Sequence, residues 1–409
     1  MKTLARIAAR AALLCFGILM ALVVGEVVLR VTGLAHPGFY AYDRYRGWAL
    51  RPGAAGWNTR EGDAYVRINH EGFRGPETSF TKPPDTIRIA VLGDSFTEGQ
   101  QVAEDKTFSA VIGRALARCP AVAGRKVEVL NFGVNGYGTA QELMTLRHQA
   151  WRFSPDIVVL AVFTGNDIVN NSVDLETERC RPFYVYRDGE MVPAGPLFDS
   201  AMSRAQCMMR FESRLRFDPH QSALFNMIDA ASRALRDRLH GGHRHHHQDT
   251  VGCELGISDI IYKAPSDTAW RNAWHVTEGL IEEMNREVKA HSAAFLTVTL
   301  TNAIQVWPDP AARDRYMKRL GVANLSYPDD RIAALGERDG FAVLVLSKPM
   351  AAYAQAHHVF LHGFKNTTTG EGHWNELGHK IGGELIAAKL CQMMESGQVP
   401  ALAQKSARN

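Results

Sequence analysis

The chain has 409 residues, of which 46% are hydrophobic, enough to bury a large core and too many for a disordered protein. Its 46 Lys and Arg against 43 Asp and Glu leave a net charge of +3. No basic run is interleaved with aromatics, so composition argues against a nucleic-acid partner.

Lys2, Arg6 and Arg10 precede an apolar stretch at 11–29 that only Glu26 interrupts. Nineteen helical residues at about 1.5 Å each nearly cross a hydrocarbon core of roughly 30 Å, and the basic flank places the N-terminus inside. Residues 1–32 are therefore expected to be a signal anchor, with the rest of the chain on the extracytoplasmic side. A cleaved signal peptide is the alternative, although no clear small-x-small site follows the apolar run.

Residues 33–84, rich in Pro, Gly and aromatics, read as a lead-in packing across the domain surface. From residue 85 the rhythm changes. TIRIAVLG is an apolar, β-branched run, and Phe108, Val111, Ile112 and Leu116 then recur at helix spacing. VEVLNFG, DIVVLAVF, AAFLTVTL and FAVLVL continue the series of strands, with helices between them and a last helix at about 375–394. Continuously apolar strands alternating with helices predict an α/β fold, a parallel sheet covered on both faces. Residues 85–170 and 267–395 are its two parts, and 396–409 a tail. Between them, 171–266 breaks the rhythm and reads as an insertion after the third strand, placed to act as a lid or substrate wall. It holds an amphipathic stretch near 225–239 and a histidine run at 243–247, which reads as a polar loop rather than a metal site.

Four segments carry candidate chemistry. VLGDSFTEG sets Ser95 at a strand-to-helix turn, where unpaired N–H groups and an exposed hydroxyl suit a nucleophile, though Gly-Asp-Ser is also an ordinary helix cap. NFGVNGYG offers backbone N–H groups around Gly136, and VFTGND offers the amide of Asn166 as a second oxyanion donor. GEGHWNELGHK supplies His373 as a base, with His379 reading as a packed residue on the helix that follows. Asp167, beside Asn166, reads as a turn-forming residue.

In that order the segments resemble the SGNH (GDSL-like) hydrolase superfamily. Ser95 matches its nucleophile, Gly136 its block-two glycine, Asn166 its block-three asparagine and His373 its histidine, with His373-Trp374-Asn375 and Gly378-His379 repeating its final block. The resemblance covers roughly 86–390 apart from the insertion. It implies a flavodoxin-like three-layer sandwich of about five parallel strands. It also implies ester chemistry through an acyl-enzyme without metal or cofactor, and an oxyanion hole formed by the N–H groups of Ser95 and Gly136 with the Asn166 amide. One position departs from the pattern. The family's usual aspartate three residues before the histidine is Gly370 here, so Glu371, at an acid-x-His spacing, is the candidate to orient His373; a backbone carbonyl or a distant carboxylate is the alternative.

The expected substrate is an acylated small molecule or glycan, with O-acetyl groups of cell-envelope glycans the leading candidates. Acyl transfer by the same residues, or a catalytically silent glycan-binding module, are the rival readings. Cys119 and Cys391 end helices that should start at the catalytic edge and run the same way. They are therefore expected to form a disulfide, or else to remain two buried thiols.

Overall fold

The computed structural model describes residues 2–31, 38–122, 124–217 and 257–400, together with 224, 225, 228 and 402. The histidine run, Cys253 and nearly all of 225–239 lie outside the described residues.

Five strands form one sheet: β1 (Thr86–Gly93), β2 (Lys126–Asn131), β3 (Ile157–Val162), β4 (Ala294–Thr299) and β5 (Ala342–Val345). They lie in the order β5-β4-β3-β1-β2, and every pairing is parallel. Period-two alternation along each strand divides the core. Ala90, Leu92, Val158 and Leu160 pack with Leu143, Leu280, Met284 and Ile332 on one side of the sheet. Ile89, Val91, Val159 and Val298 pack with Phe108, Ile112, Met350 and Leu390 on the other. Both faces are covered, which is why the strands read as unbroken apolar runs; each fully buried Ile, Leu or Val contributes about 1.5–3 kcal/mol. The expected flavodoxin-like α/β fold is the fold observed.

Capping sets the helix starts near the carboxyl edge. The Asp94 carboxylate accepts from Phe96 N–H at the short helix Ser95–Glu98, and Asn375 accepts from Leu377 and Gly378 at Glu376–Glu395. That last helix runs beside Phe108–Leu116, and at the far end Cys119 and Cys391 are joined by a disulfide with Cα atoms 5.8 Å apart.

The lead-in forms two antiparallel strand pairs, Tyr40–Asp43 with Gly47–Leu50 and Ala55–Asn58 with Ala64–Arg67. Their apolar side, including Phe39, Leu50, Val66 and Ile68, closes over Val134 and Tyr137. The buried Arg74 guanidinium pins the lead-in to the domain, donating to the carbonyls of Glu98 (2.9 Å) and Val102 (2.6 Å). The insertion contains a hairpin, Phe183–Arg187 with Glu190–Ala194, whose Asp188-Gly189 turn has positive φ at both residues. A second disulfide, Cys180–Cys207, ties its start to the helix Ala201–Phe217.

The helix Lys2–Val31 contains a 21-residue span, Ala9–Leu29, of mean hydropathy 2.6, long and apolar enough to cross a membrane.

Candidate active site

Ser95 follows the end of β1 and opens its short helix; His373 lies in the loop before Glu376–Glu395. The Ser95 hydroxyl donates to His373 Nε2 at 2.8 Å. Trp374, next in sequence, is fully buried, donates from Nε1 to Thr301 Oγ1 at 2.8 Å and packs edge-on to Phe96 and Phe108. Phe96 also lies against the imidazole, with ring centroids 4.8 Å apart. Packing and the Asn375 cap together fix the loop from which His373 projects.

The acid beside the histidine corrects the sequence reading. His373 Nδ1–H donates to Glu61 Oε2 at 2.5 Å, and the backbone N–H of His373 donates to Glu61 Oε1 at 2.8 Å. Glu61 thus takes both positions, and Glu371, whose side chain makes no hydrogen bond among the described residues, has no place at that nitrogen. Gly372 makes room: its φ is +77°, and a Cβ there would stand 2.3 Å from Glu61 Oε1. Asn366 holds the Glu61 turn in place, accepting from Gly62 N–H (3.0 Å) and donating to the carbonyls of Gly62 (2.8 Å) and Thr59 (3.1 Å). Burial alone would raise the Glu61 pKa. The ring hydrogen bond, the imidazole's charge and the backbone N–H outweigh it and hold the carboxyl below its ordinary value.

Asn166 stands beside the nucleophile, donating from Nδ2 to Asp94 Oδ2 at 3.2 Å. Gly136 has a φ of +75°, in the loop after β2. Among the described residues the N–H groups of Ser95 and Gly136 donate to no protein acceptor. Burial pushes Asp94 up to about 6, against the hydrogen bond from Phe96 N–H and the charge of His373. Behind it, burial raises Glu142 and Asp167 well above their ordinary values, with the charge of Asp94 adding to the first and those of Glu142 and Asp94 to the second. Asp167 also accepts from Phe163 N–H at 3.0 Å, a turn bond. His379 is buried, its Nδ1 accepting from Phe108 N–H at 3.2 Å.

Sequence reading passed over the lead-in's share of this site. Besides Glu61, Tyr40 donates to the Glu98 carboxylate (3.0 Å) and Trp48 Nε1–H to the carbonyl of Asn135 (3.0 Å). Gly62 and Gly372, flanking the Glu61–His373 pair, are the sole local hint, and each recurs as an ordinary turn glycine.

Residues 91–189 match the model of the GDSL-like Lipase/Acylhydrolase family. Among solved structures, the chain is similar to an acetyl xylan esterase, AlAXEase, at 10% identity, covering 74% of this chain and 99% of that one with a TM-score of 0.39. It is also similar to a lipase/acylhydrolase from Enterococcus faecalis at 14% identity, with 75% and 96% covered and a TM-score of 0.36. A third likeness is to a catalytic mutant of Axe2, an acetylxylan esterase from Geobacillus stearothermophilus, at 10% identity, with 74% and 93% covered and a TM-score of 0.35. No curated protein matches the chain. A serine hydrogen-bonded to a histidine at the carboxyl edge of a parallel sheet is the machinery of a serine hydrolase. With the family match, the chain carries a GDSL-like lipase/acylhydrolase domain and is a serine esterase.

Proposed function

We propose that this esterase removes O-acyl groups, acetyl foremost, from cell-envelope glycans on the extracytoplasmic side of a membrane to which Ala9–Leu29 anchors it. The unbroken chain of hydrogen bonds from Ser95 through His373 to Glu61 carries the reading of the chemistry. His373 takes the Ser95 proton as Oγ attacks the acyl carbon. Glu61 fixes the tautomer with the proton on Nδ1 and stabilises the imidazolium as it forms. The N–H groups of Ser95 and Gly136 and the Asn166 amide receive the negative charge on the acyl oxygen. His373 then protonates the departing sugar oxygen, which leaves as a hydroxyl, and water, activated by the same imidazole, releases the acid. Both disulfides support a compartment outside the reducing cytosol. The glycan is inferred from that location.

The test is to incubate the full-length protein and its Ser95→Ala variant with an acetylated envelope polysaccharide and measure acetate release. Release by the parent alone, with fluorophosphonate labelling lost in the variant, is expected. Transfer of acetyl to an added oligosaccharide in place of acetate release would make it a transferase. Membrane pelleting after a high-salt wash tests the anchor, and recovery as a shortened soluble chain would refute it.

A further inference from the structure

The oxyanion hole depends on where one peptide points. The N–H of Gly136 belongs to the Asn135–Gly136 peptide, and in a trans peptide the carbonyl and N–H point in opposite directions, so fixing one aims the other. Trp48 Nε1–H, from the lead-in, donates to that carbonyl at 3.0 Å. On the preceding peptide, Asn135 N–H donates to Glu98 Oε2 at 2.6 Å. Beyond it, the carbonyl of Gly136 accepts from Arg181 Nη2 at 2.7 Å. Three consecutive peptides are thus held by side chains from three different segments.

Glu98 is an unusual residue to find here. It ends the nucleophile's own helix, is fully buried, and its carboxylate also accepts from Tyr40 Oη at 3.0 Å and from Gln100 Nε2. All its partners are donors, an arrangement suited to the ionised form. Burial opposes that form and pushes the carboxyl up to about 7, so the fold bears a cost that an apolar residue would avoid. The oxyanion loop lies directly on this helix: a Cβ on Gly133 would stand 2.3 Å from Glu98 N.

We propose that Glu98 and Trp48 are positioning residues of the oxyanion hole, clamping the Asn135–Gly136 segment so that Gly136 N–H faces the acyl oxygen carried by Ser95. Glu98 ties the loop to the nucleophile's helix, and Trp48 sets the plane of the peptide. Neither touches the reacting atoms. The proposal rests on the esterase reading, and it gives the lead-in a second role beside supplying Glu61.

The experiment uses the full-length protein in detergent with Trp48→Phe, Glu98→Ala and Glu98→Gln, and p-nitrophenyl acetate as substrate. Phenylboronic acid serves as a mimic of the tetrahedral oxyanion, and fluorophosphonate titration counts active sites. Trp48→Phe keeps an aromatic ring at the position and removes the indole donor. It should lower kcat per titrated site roughly 10-fold to 10²-fold, less than or equal to the loss of a whole oxyanion donor, and weaken boronate binding by a similar factor. KM should stay within about twofold, because ground-state binding does not use the donor. Glu98→Ala should behave alike, and Glu98→Gln, which keeps an acceptor for Asn135 N–H, should recover most of the loss. Turnover and boronate affinity of Trp48→Phe within twofold of the parent would overturn the proposal, whether or not Glu98→Ala folds. A parent protein that neither cleaves the ester nor labels at Ser95 would instead overturn the esterase reading.

Discussion

Replacing Glu61 by Gln probes the corrected triad most sharply, since it keeps size and removes charge. Glu61 satisfies two donors on His373, the backbone N–H at 2.8 Å and Nδ1–H at 2.5 Å. Glutamine has one acceptor oxygen. If that oxygen keeps the backbone bond, the NH₂ group faces Nδ1 and draws the imidazole into the tautomer protonated on Nε2, which cannot take the Ser95 proton. If it keeps the ring bond, the NH₂ opposes the backbone N–H and the loop shifts. In both cases the carboxylate's stabilisation of the imidazolium is gone. Both side chains of the pair are about a quarter exposed or less, 25% and 20%, so solvent screens them in part. Two charges about 4 Å apart at an effective dielectric of about 20 interact by about 4 kcal/mol, or roughly 10³-fold in rate. Tautomer loss raises the ceiling to roughly 10⁴-fold, as for the aspartate of serine proteases. The assay is kcat for p-nitrophenyl acetate, with circular dichroism confirming the fold, beside Glu371→Gln, which should remain within about twofold of the parent because it makes no bond to the ring. A Glu61→Gln enzyme retaining more than about a tenth of parental kcat, or an equal loss in Glu371→Gln, would refute the assignment.

Asn166→Ala should lower kcat roughly 10²-fold to 10³-fold in the same assay, with an unchanged circular dichroism spectrum; an undiminished rate would remove its amide from the oxyanion hole. Cys391→Ser opens a closure across 272 residues and should cost up to about 5 kcal/mol in urea unfolding on the chain-entropy account, while active-site geometry at the opposite edge of the sheet stays intact. His379 is buried neutral, with burial, then the charge of Arg74, lowering it from 6.5 to about 3. The unfolded chain therefore binds a proton that the native state refuses between those values, so this group's contribution to stability is complete above pH 6.5 and declines as pH falls. The urea-derived unfolding free energy of His379→Gln should fall less steeply than the parent's between pH 6.5 and 4, by at most about 1.4 kcal/mol per pH unit; parallel curves would refute the linkage.

The sheet was legible because its information is local. Ile89 and Ala90 enter different cores, yet both are apolar, so β1 announces itself as an unbroken run, and β3 does the same. Ser95 and His373 were legible for a related reason: each sits in a short segment whose glycines and caps are spelled out beside it. The Cys119–Cys391 bridge could be reasoned from helix directions in a parallel α/β fold, whereas Cys180–Cys207 obeys no such rule, because the insertion has no regular topology to reason from. Glu61 was illegible because it meets His373 across 312 residues, and nothing in Thr59–Arg60–Glu61–Gly62 distinguishes it from a surface turn. Glu371 drew the role by proximity in sequence, which is a poor guide where a positive-φ glycine redirects the chain between the two residues. The four-residue strands of the lead-in were too short for periodicity to declare them.

The distance between Glu61 and His373 along the chain also sets a clock. A ribosome adding roughly 5–20 residues per second makes the acid about 15–60 s before the imidazole it will hold. Ser95 is made 278 residues ahead of the same histidine, after which four more strands of the sheet must still be completed. During synthesis the hydroxyl has no base and the carboxylate no partner, so the growing chain cannot attack esters it meets on the way. Only when the last loop docks beneath its final helix do the three groups meet. The enzyme is silent by order of manufacture until that loop has been made.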